Sequence, residues 1–361
     1  MKIDVPPTVR NGIMRGTKIV DPYDHRLDME VEVDPAIFKF LCDSRSYGKP
    51  DLSVEVIESH MSLLFLIGDR VYKMKKPIRL DVLDNLELAQ RLENCQQELM
   101  LNRALSPDIY LGVSPVTRDR QGKLQIDGDG EPVEWLVIMR RLDDNRLLDH
   151  AIPMGSVKAE HISELTNVLG SFYRKAEIIK MPDTDVITHW SLLMDRNEMS
   201  LRTQEFGLPA DRFEAVLASS RSFLKKNSAI LIDRARQGWI RDCHGDLRPE
   251  HVYLGPPVRL IDRLEFSSSL RWHDPFEEIV DLGLECERFG ASWIFPLLVE
   301  GTATELGHEL PPELIDFYAG VRGAVRARLA IEHLRHGYTD TEKWQQRTSD
   351  CLQIAARYAC R

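Results

Sequence analysis

The 361-residue sequence is as informative for what it lacks as for what it holds. Its six cysteines, Cys42, Cys95, Cys243, Cys286, Cys351 and Cys360, form no Cys-x-x-Cys pair and no zinc spacing. A zinc ribbon has no support, and a disulfide framework is not expected in a chain this long with no sign of secretion. Eleven histidines include no His-x-x-x-His or His-Glu-x-x-His arrangement, so a zinc hydrolase has no support. His60, His150, His161, His189 and the others outside the 244–251 segment read as structural or exposed groups. No apolar run approaches bilayer-spanning length. The opening Met-Lys-Ile-Asp-Val-Pro-Pro lacks a signal-peptide core. A reducing cytoplasm is the expected compartment, with no membrane partner. A basic excess is missing too: the net charge is -10, which argues against a general nucleic-acid binder. Repeats, low-complexity tracts and a Gly-x-Gly-x-x-Gly phosphate loop are also absent.

What remains is ordinary globular composition, 43% hydrophobic and 29% charged, enough for two domains or one two-part enzyme. Residues 1–34 are polar and proline-punctuated and read as an extended lead-in. Residues 35–140 form a first half dominated by strands. A short helix over Pro35–Cys42 precedes strands at Val54–Glu58, Leu63–Ile67 and Arg70–Met74, with turns at Ser59–Ser62 and Gly68–Asp69. Between Asp84 and Leu105 the period becomes helical, with Leu86, Leu88, Leu92, Cys95, Leu99, Leu101 and Leu105 as the apolar positions. Strands return at Leu111–Val116, Lys123–Ile126 and Val133–Met139. The turn Asp127-Gly128-Asp129-Gly130 lacks the later ligand positions of a calcium loop. Residues 141–361 are mainly helical, with the strongest periodicity at 157–177, 188–204, 210–237, 275–290 and 312–336. One hairpin interrupts them, Val252–Leu254 and Val258–Ile261 around Gly255-Pro256-Pro257.

That hairpin has chemistry on both flanks. Asp246 precedes it, His251 abuts it and Asp262 follows it. A loop–hairpin–loop layout can bring two carboxylates to one edge. Phosphoryl transfer from ATP needs such a set, one to orient and deprotonate a hydroxyl and one to hold magnesium. Each residue also has a plainer reading. Asp246 is a residue type common in turns, and Arg248 can serve an ordinary loop salt bridge. Among lysines, alternation puts Lys73 and Lys75 on one face, so spacing does not choose between them. Glu93 competes with Glu98. Downstream, Asp274 is placed to brace the loop, whereas Glu265 and Asp281 read as surface or helix-terminal charges.

His244-Gly245-Asp246-Leu247-Arg248-Pro249-Glu250-His251 resembles the kinase catalytic loop, with the second-place Gly seen in aminoglycoside and choline phosphotransferases. Ile261-Asp262-Arg263-Leu264-Glu265-Phe266 occupies the place of the Asp-Phe-Gly motif. Val71-Tyr72-Lys73 resembles the strand carrying the phosphate-gripping lysine, and Cys95–Arg103 its helix partner. Over residues 35–340 the chain looks like a bacterial branch of the aminoglycoside phosphotransferase family. The resemblance implies an α+β, two-lobed protein-kinase-like fold, with a small β-rich N-lobe, one long helix and a larger helical C-lobe. It implies ATP and Mg2+ as cofactors, a small-molecule hydroxyl substrate, and Asp246 as base with Arg248 facing the transferred phosphate. Lys73 and Glu98 would align the phosphates, Ser62 would donate to them, and Met139 would lie beside the nucleobase. Asp262 and His251 would hold metal. Two departures from the pattern stand out: His251 replaces the magnesium-binding Asn, and the Ser59–Ser62 turn replaces the glycine-rich loop. They motivate a rival reading, a catalytically silent nucleotide-binding scaffold. A protein kinase is a third reading, but no Ala-Pro-Glu-like signal accompanies it.

Overall fold

The computed structural model describes residues 9–10, 27–80, 83–202, 210–335 and 341–361. Most of the lead-in expected over residues 1–34 lies outside the described residues, as do the last positions of the helices expected over 188–204 and 312–336. The chain divides into two compact units, residues 1–144 with 260–267, and residues 145–259 with 268–361.

The first unit is built on a seven-stranded sheet in the order β1-β3-β4-β5-β10-β8-β9. Its elements are β1 (Val9–Arg10), β2 (Leu27–Glu30), α1 (Pro35–Leu41), β3 (Glu55–Glu58), β4 (Ser62–Ile67), β5 (Arg70–Lys75), β6 (Ile78–Leu80) and β7 (Leu83–Asp84). There follow α2 (Leu88–Arg103), β8 (Tyr110–Arg118), β9 (Leu124–Ile126) and β10 (Glu131–Arg140). β4, β5 and β10 are antiparallel neighbours, so Lys73 stands opposite Leu64 and Val137. Period-two alternation then sorts the side chains. Phe65, Met74 and Leu136 pack with Ile37 and Leu41 of α1 on one face. Leu66, Val71, Val137 and Met139 pack with Cys95 of α2 on the other. Lys73 and Lys75 share the second face with Val71.

The leucine stripe expected to bury α2 does not do so. The helix begins only at Leu88, and its buried residues are Arg91, Cys95, Glu98 and Asn102. Their spacing is helical, but three of the four are polar. Each polar member has a buried partner, as Arg91 has in Glu134 at 2.9 Å, which is the condition for burying such groups at tolerable cost.

The second unit contains α3 (Leu148–Ala151), α4 (Ala159–Lys175), α5 (Asp183–Leu201), α6 (Ala210–Arg236), β11 (Arg241–Asp242), β12 (Val252–Tyr253) and β13 (Arg259–Leu260), the last strand running into residues 260–267 of the first unit. After β14 (Trp272–His273) come α7 (Pro275–Arg288), α8 (Ile294–Leu306), α9 (Pro312–Arg335) and α10 (Thr341–Ala359). α8 and α10 were not among the helices expected from periodicity. The core lies among α5, α6, α7, α9 and α10, where Trp190 stacks on Tyr318 at 5.6 Å and Phe223 on Phe317 at 4.4 Å. α7 starts sharply because Asp274 caps it, accepting from Phe276 N–H, and Pro275 occupies the first turn. Among the described residues no helix is long and apolar enough to cross a membrane.

Candidate active site

Two groups of functional side chains emerge, one in each unit. In the first, β5 and α2 meet in a buried ladder of ions. Lys73 Nζ lies 2.8 Å from Glu98 Oε1 and 2.8 Å from Asp262 Oδ1. Lys75 Nζ lies 2.7 Å from Glu98 Oε2 and 2.5 Å from Glu265 Oε1. Both lysines flagged by alternation are therefore used, and they share one glutamate. They differ in exposure: the side chain of Lys73 is 12% exposed and that of Lys75 3%. Lys73 is the more accessible of the two, as a ligand-facing lysine requires. Glu265, expected at the surface, is instead a buried partner of Lys75.

Burial opposes every charge here, so the pairing must outweigh it. For Lys73 it does: burial works against the ammonium, but Asp262 and Glu98 hold its pKa well above the usual lysine value. Glu98, likewise opposed by burial, is held below the ordinary carboxylate value by Lys73 and Lys75. For Glu265 burial wins and the pKa rises despite Lys75. Two ammonium groups thus bridge three carboxylates, Glu98, Asp262 and Glu265. Asp262 is the most exposed of the three carboxylates, at 21%.

Asp262 sits on a backbone with φ of 60°, a region that Asp tolerates better than most residues. Its loop is held by side chains that sequence reasoning did not single out. Tyr110 Oη accepts from Asp262 N–H at 2.9 Å. Asn102 brackets the next residue, accepting from Arg263 N–H at 2.8 Å and donating to its carbonyl at 3.2 Å. Ser106 Oγ donates to Leu260 O at 2.5 Å. Phe266 closes the loop against Ile78 and Leu83. Asn102 follows Glu98 along the α2 face and Ser106 lies just beyond the helix end, a signal visible only once a partner loop is known.

In the second unit, the loop His244–His251 turns at Gly245, where φ is +86°. A Cβ there would meet Arg271 Cγ at 2.8 Å and Leu270 O at 3.1 Å, so both torsion and space demand glycine. Glu278 of α7 accepts the N–H of Gly245 at 2.6 Å and of His244 at 3.2 Å, and the Tyr173 hydroxyl at 2.8 Å. Sequence reasoning missed Glu278 as well. Asp246 is buried, and its Oδ1 accepts no hydrogen bond; Arg326 Nη1 of α9 is 3.6 Å away. Burial raises the Asp246 pKa, opposed by Arg248, His251 and Arg326.

His251 Nδ1 lies 2.6 Å from the Asp246 carbonyl. A carbonyl only accepts, so Nδ1 carries a proton, and in the neutral ring Nε2 would then offer the lone pair. Arg248 is fully buried, ion-paired with Glu250 and 3.8 Å from Asp246 Oδ2. Ser62 opens β4 opposite Lys75, with its N–H and carbonyl closing the turn onto Ser59. Met139 lies in the α2-side core, opposite Val71 and Tyr110.

Behind the loop, α7 supplies a row of buried acids. Asp281 pairs with Arg326 at 2.7 and 2.9 Å and with Arg322 at 2.5 Å; it is not the surface charge expected. Glu277 lies 3.2 Å from His273 Nδ1, and Glu285 binds Arg288 and Arg347 at 2.9 and 3.1 Å. Asp274, expected to brace the loop, instead caps α7 and binds Arg234 and the Tyr318 hydroxyl. Glu278, four residues on, does the bracing. Among the described residues no group of three His, Cys, Asp or Glu side chains is arranged to hold a metal ion.

The architecture is the α+β protein-kinase-like fold. It is shared with an aminoglycoside 2'-phosphotransferase-IIIa solved as its GDP complex, at a TM-score of 0.52 and 15% identity, covering 89% of this chain and 98% of that one. A choline/ethanolamine kinase family protein from Mesorhizobium loti superposes at a TM-score of 0.51 and 15% identity, covering 85% and 91%. In sequence, proteins of Mycobacterium tuberculosis and Mycobacterium bovis, themselves uncharacterised, are 28% identical over 292 residues, 79% of this chain. The chain spans about half, 56%, of the length of these curated relatives. No protein-family model matches it.

Proposed function

We propose that the chain is an ATP- and magnesium-dependent phosphotransferase that moves the γ-phosphate to a hydroxyl of a small molecule. The observation carrying this reading is Lys73, paired at 2.8 Å with both Glu98 and Asp262. Phosphotransferases of this fold need such a triad to align nucleotide phosphates and hold the metal. The residues fit the cation: of the three carboxylates that Lys73 and Lys75 bridge, Asp262 is the most exposed, at 21%. Asp262 would hold magnesium as an oxygen ligand, with His251 Nε2 a softer second candidate. Bound there, the metal would neutralise charge on the transferring phosphoryl group.

The chain's own residues do the rest. Lys73, kept ionised by Glu98, grips phosphate oxygens. Asp246 orients the acceptor hydroxyl and takes its proton, and its raised pKa makes it a better base than an exposed Asp. Arg326 and Arg248 hold that carboxylate in place from behind. Arg248, buried against Glu250, acts on the loop and not on the phosphate. Ser62 and Met139 would border the nucleotide. The named fold relatives suggest an aminoglycoside-like or amino-alcohol-like acceptor, with sugars in the same class.

Asp246→Asn tests the reading. It keeps the side-chain shape and removes the base, so phosphoryl transfer should fall about 10²–10⁴-fold. Undiminished transfer would sink the assignment. The second reading, a silent nucleotide-binding module, is favoured by His251 standing where an oxygen donor is expected and fastening its Nδ1 to the loop backbone. It predicts metal-independent ATP binding in a thermal-shift assay and no ADP release with any hydroxylated metabolite.

A further inference from the structure

We infer that Lys75 and Glu265 are positioning residues, a second ion pair that latches the Asp262 loop to strand β5. The inference rests on the phosphotransfer reading and concerns how its metal-holding carboxylate is fixed. Lys75 lies two residues from Lys73 on the same face of β5, and Glu265 lies three residues beyond Asp262. Two parallel bridges result, Lys73 to Asp262 at 2.8 Å and Lys75 to Glu265 at 2.5 Å, joined by Glu98, which offers one oxygen to each lysine.

The geometry separates the work of the two lysines. The Lys75 and Glu265 side chains are 3% and 10% exposed, too enclosed to greet a ligand. Lys73 and Asp262, at 12% and 21%, form the open end. With Lys73 alone, the loop would lose its ion-pair tether to β5 whenever Lys73 turned to phosphate, and only the Tyr110, Asn102 and Ser106 hydrogen bonds and the Phe266 contact would remain. The second bridge holds the loop when Lys73 turns to its ligand. Lys75 also gives the second oxygen of the fully buried Glu98 a partner, at 2.7 Å.

Groups that orient a metal-ligating carboxylate typically change metal affinity about 10–100-fold when removed. Two variants separate latch from ligand. Lys75→Met removes both the Glu98 and Glu265 contacts, and the milder Glu265→Gln removes only the charge on the loop side. Each is titrated with MgCl2 at fixed ATP by thermal shift, and hydrogen exchange of residues 262–266 is followed without nucleotide. The expected result is a Mg2+ midpoint raised about 10-fold, unchanged metal-free ATP binding, and faster exchange confined to 262–266. Lys75→Arg, which can still bridge two carboxylates, should restore both readouts. Weakened metal-free ATP binding with unchanged exchange would overturn the inference and make Lys75 itself a phosphate ligand. If Lys75→Met does not fold, Glu265→Gln decides alone, and normal exchange at 262–266 in that variant overturns the latch. Should the unmodified chain bind no MgATP, the phosphotransfer reading fails while exchange at 262–266 still decides the latch.

Discussion

Replacing Glu278 by Ala removes the acceptor on which the turn of the His244–His251 loop rests. Three donors converge on that carboxylate: Gly245 N–H at 2.6 Å, the Tyr173 hydroxyl at 2.8 Å and His244 N–H at 3.2 Å. All three residues are buried, so water does not replace the lost acceptor freely. A buried donor left unmade costs about 1–3 kcal/mol, so three would cost about 3–9 kcal/mol if nothing relaxed. Two effects reduce that figure. Burial raises the Glu278 pKa, which means the charged form is itself opposed in the folded state, and its removal returns part of the loss. The Tyr173 hydroxyl can also rotate toward a water admitted by the truncation. A net loss of about 3 kcal/mol is expected, a large share of a stability of about 5–15 kcal/mol. Urea denaturation followed by far-ultraviolet circular dichroism measures it. Glu278→Gln keeps an acceptor for Gly245 and should lose about half as much. The loop also carries Asp246, and a displacement of about 1 Å at a reacting group can cost about 10²-fold in rate. Phosphoryl transfer in the Ala variant should therefore fall by that order even under conditions where it is folded. A loss below about 1 kcal/mol, or an unchanged rate, would refute the bracing role.

Gly245→Ala should lower stability by more than about 2 kcal/mol, because a φ of +86° is unfavourable for any Cβ and the backbone oxygen of Leu270 stands 3.1 Å from it; a thermal melt within a degree of the parent would contradict this. Acid should destabilise the second unit through Asp281 of α7. Burial raises the pKa of Asp281, but Arg322 and Arg326 outweigh it and leave the folded value below the ordinary one. The unfolded chain then binds protons first as pH falls, so the stabilisation is complete above about pH 5 and fades through and below about pH 4. Asp281→Asn should cost about 3–5 kcal/mol at pH 7, since two arginines lose a buried partner, and should flatten the acid slope in melts from about pH 3 to 7.

The strands of the first unit were legible because alternation of Val54–Glu58, Arg70–Met74 and Val133–Met139 is a local property. So was the loop at Asp246, whose glycine is demanded by its own backbone. The α2 face was not legible. Its apolar residues suggested one stripe, while Asn102 turns inward to a partner 161 positions further along and Glu98 to the lysines of β5. A charged residue looks the same in sequence whether solvated or paired. Glu265 and Asp281 for that reason read as surface or helix-terminal charges, and Asp274 stands out where Glu278 does the bracing. The choice between Lys73 and Lys75 was undecidable from spacing, and the fold resolves it by using both. Helices α8 and α10 carry helically spaced buried positions too, Ile294, Phe295, Leu298 and Thr302 in one and Trp344, Thr348, Cys351, Leu352, Ala355 and Tyr358 in the other, but polar Thr residues interrupt both stripes.

The return of residues 260–267 to the first unit limits how that unit can be isolated. A polypeptide ending at Asp144 would keep Lys73, Lys75 and Glu98 but neither Asp262 nor Glu265. Two enclosed ammonium groups would then face a single carboxylate, and Asn102 and Ser106 would lose their loop. The β-rich half is thus not a cassette that can be cut out or swapped by its contiguous sequence. Any exchange with another protein must carry the eight residues after Arg259 along with it.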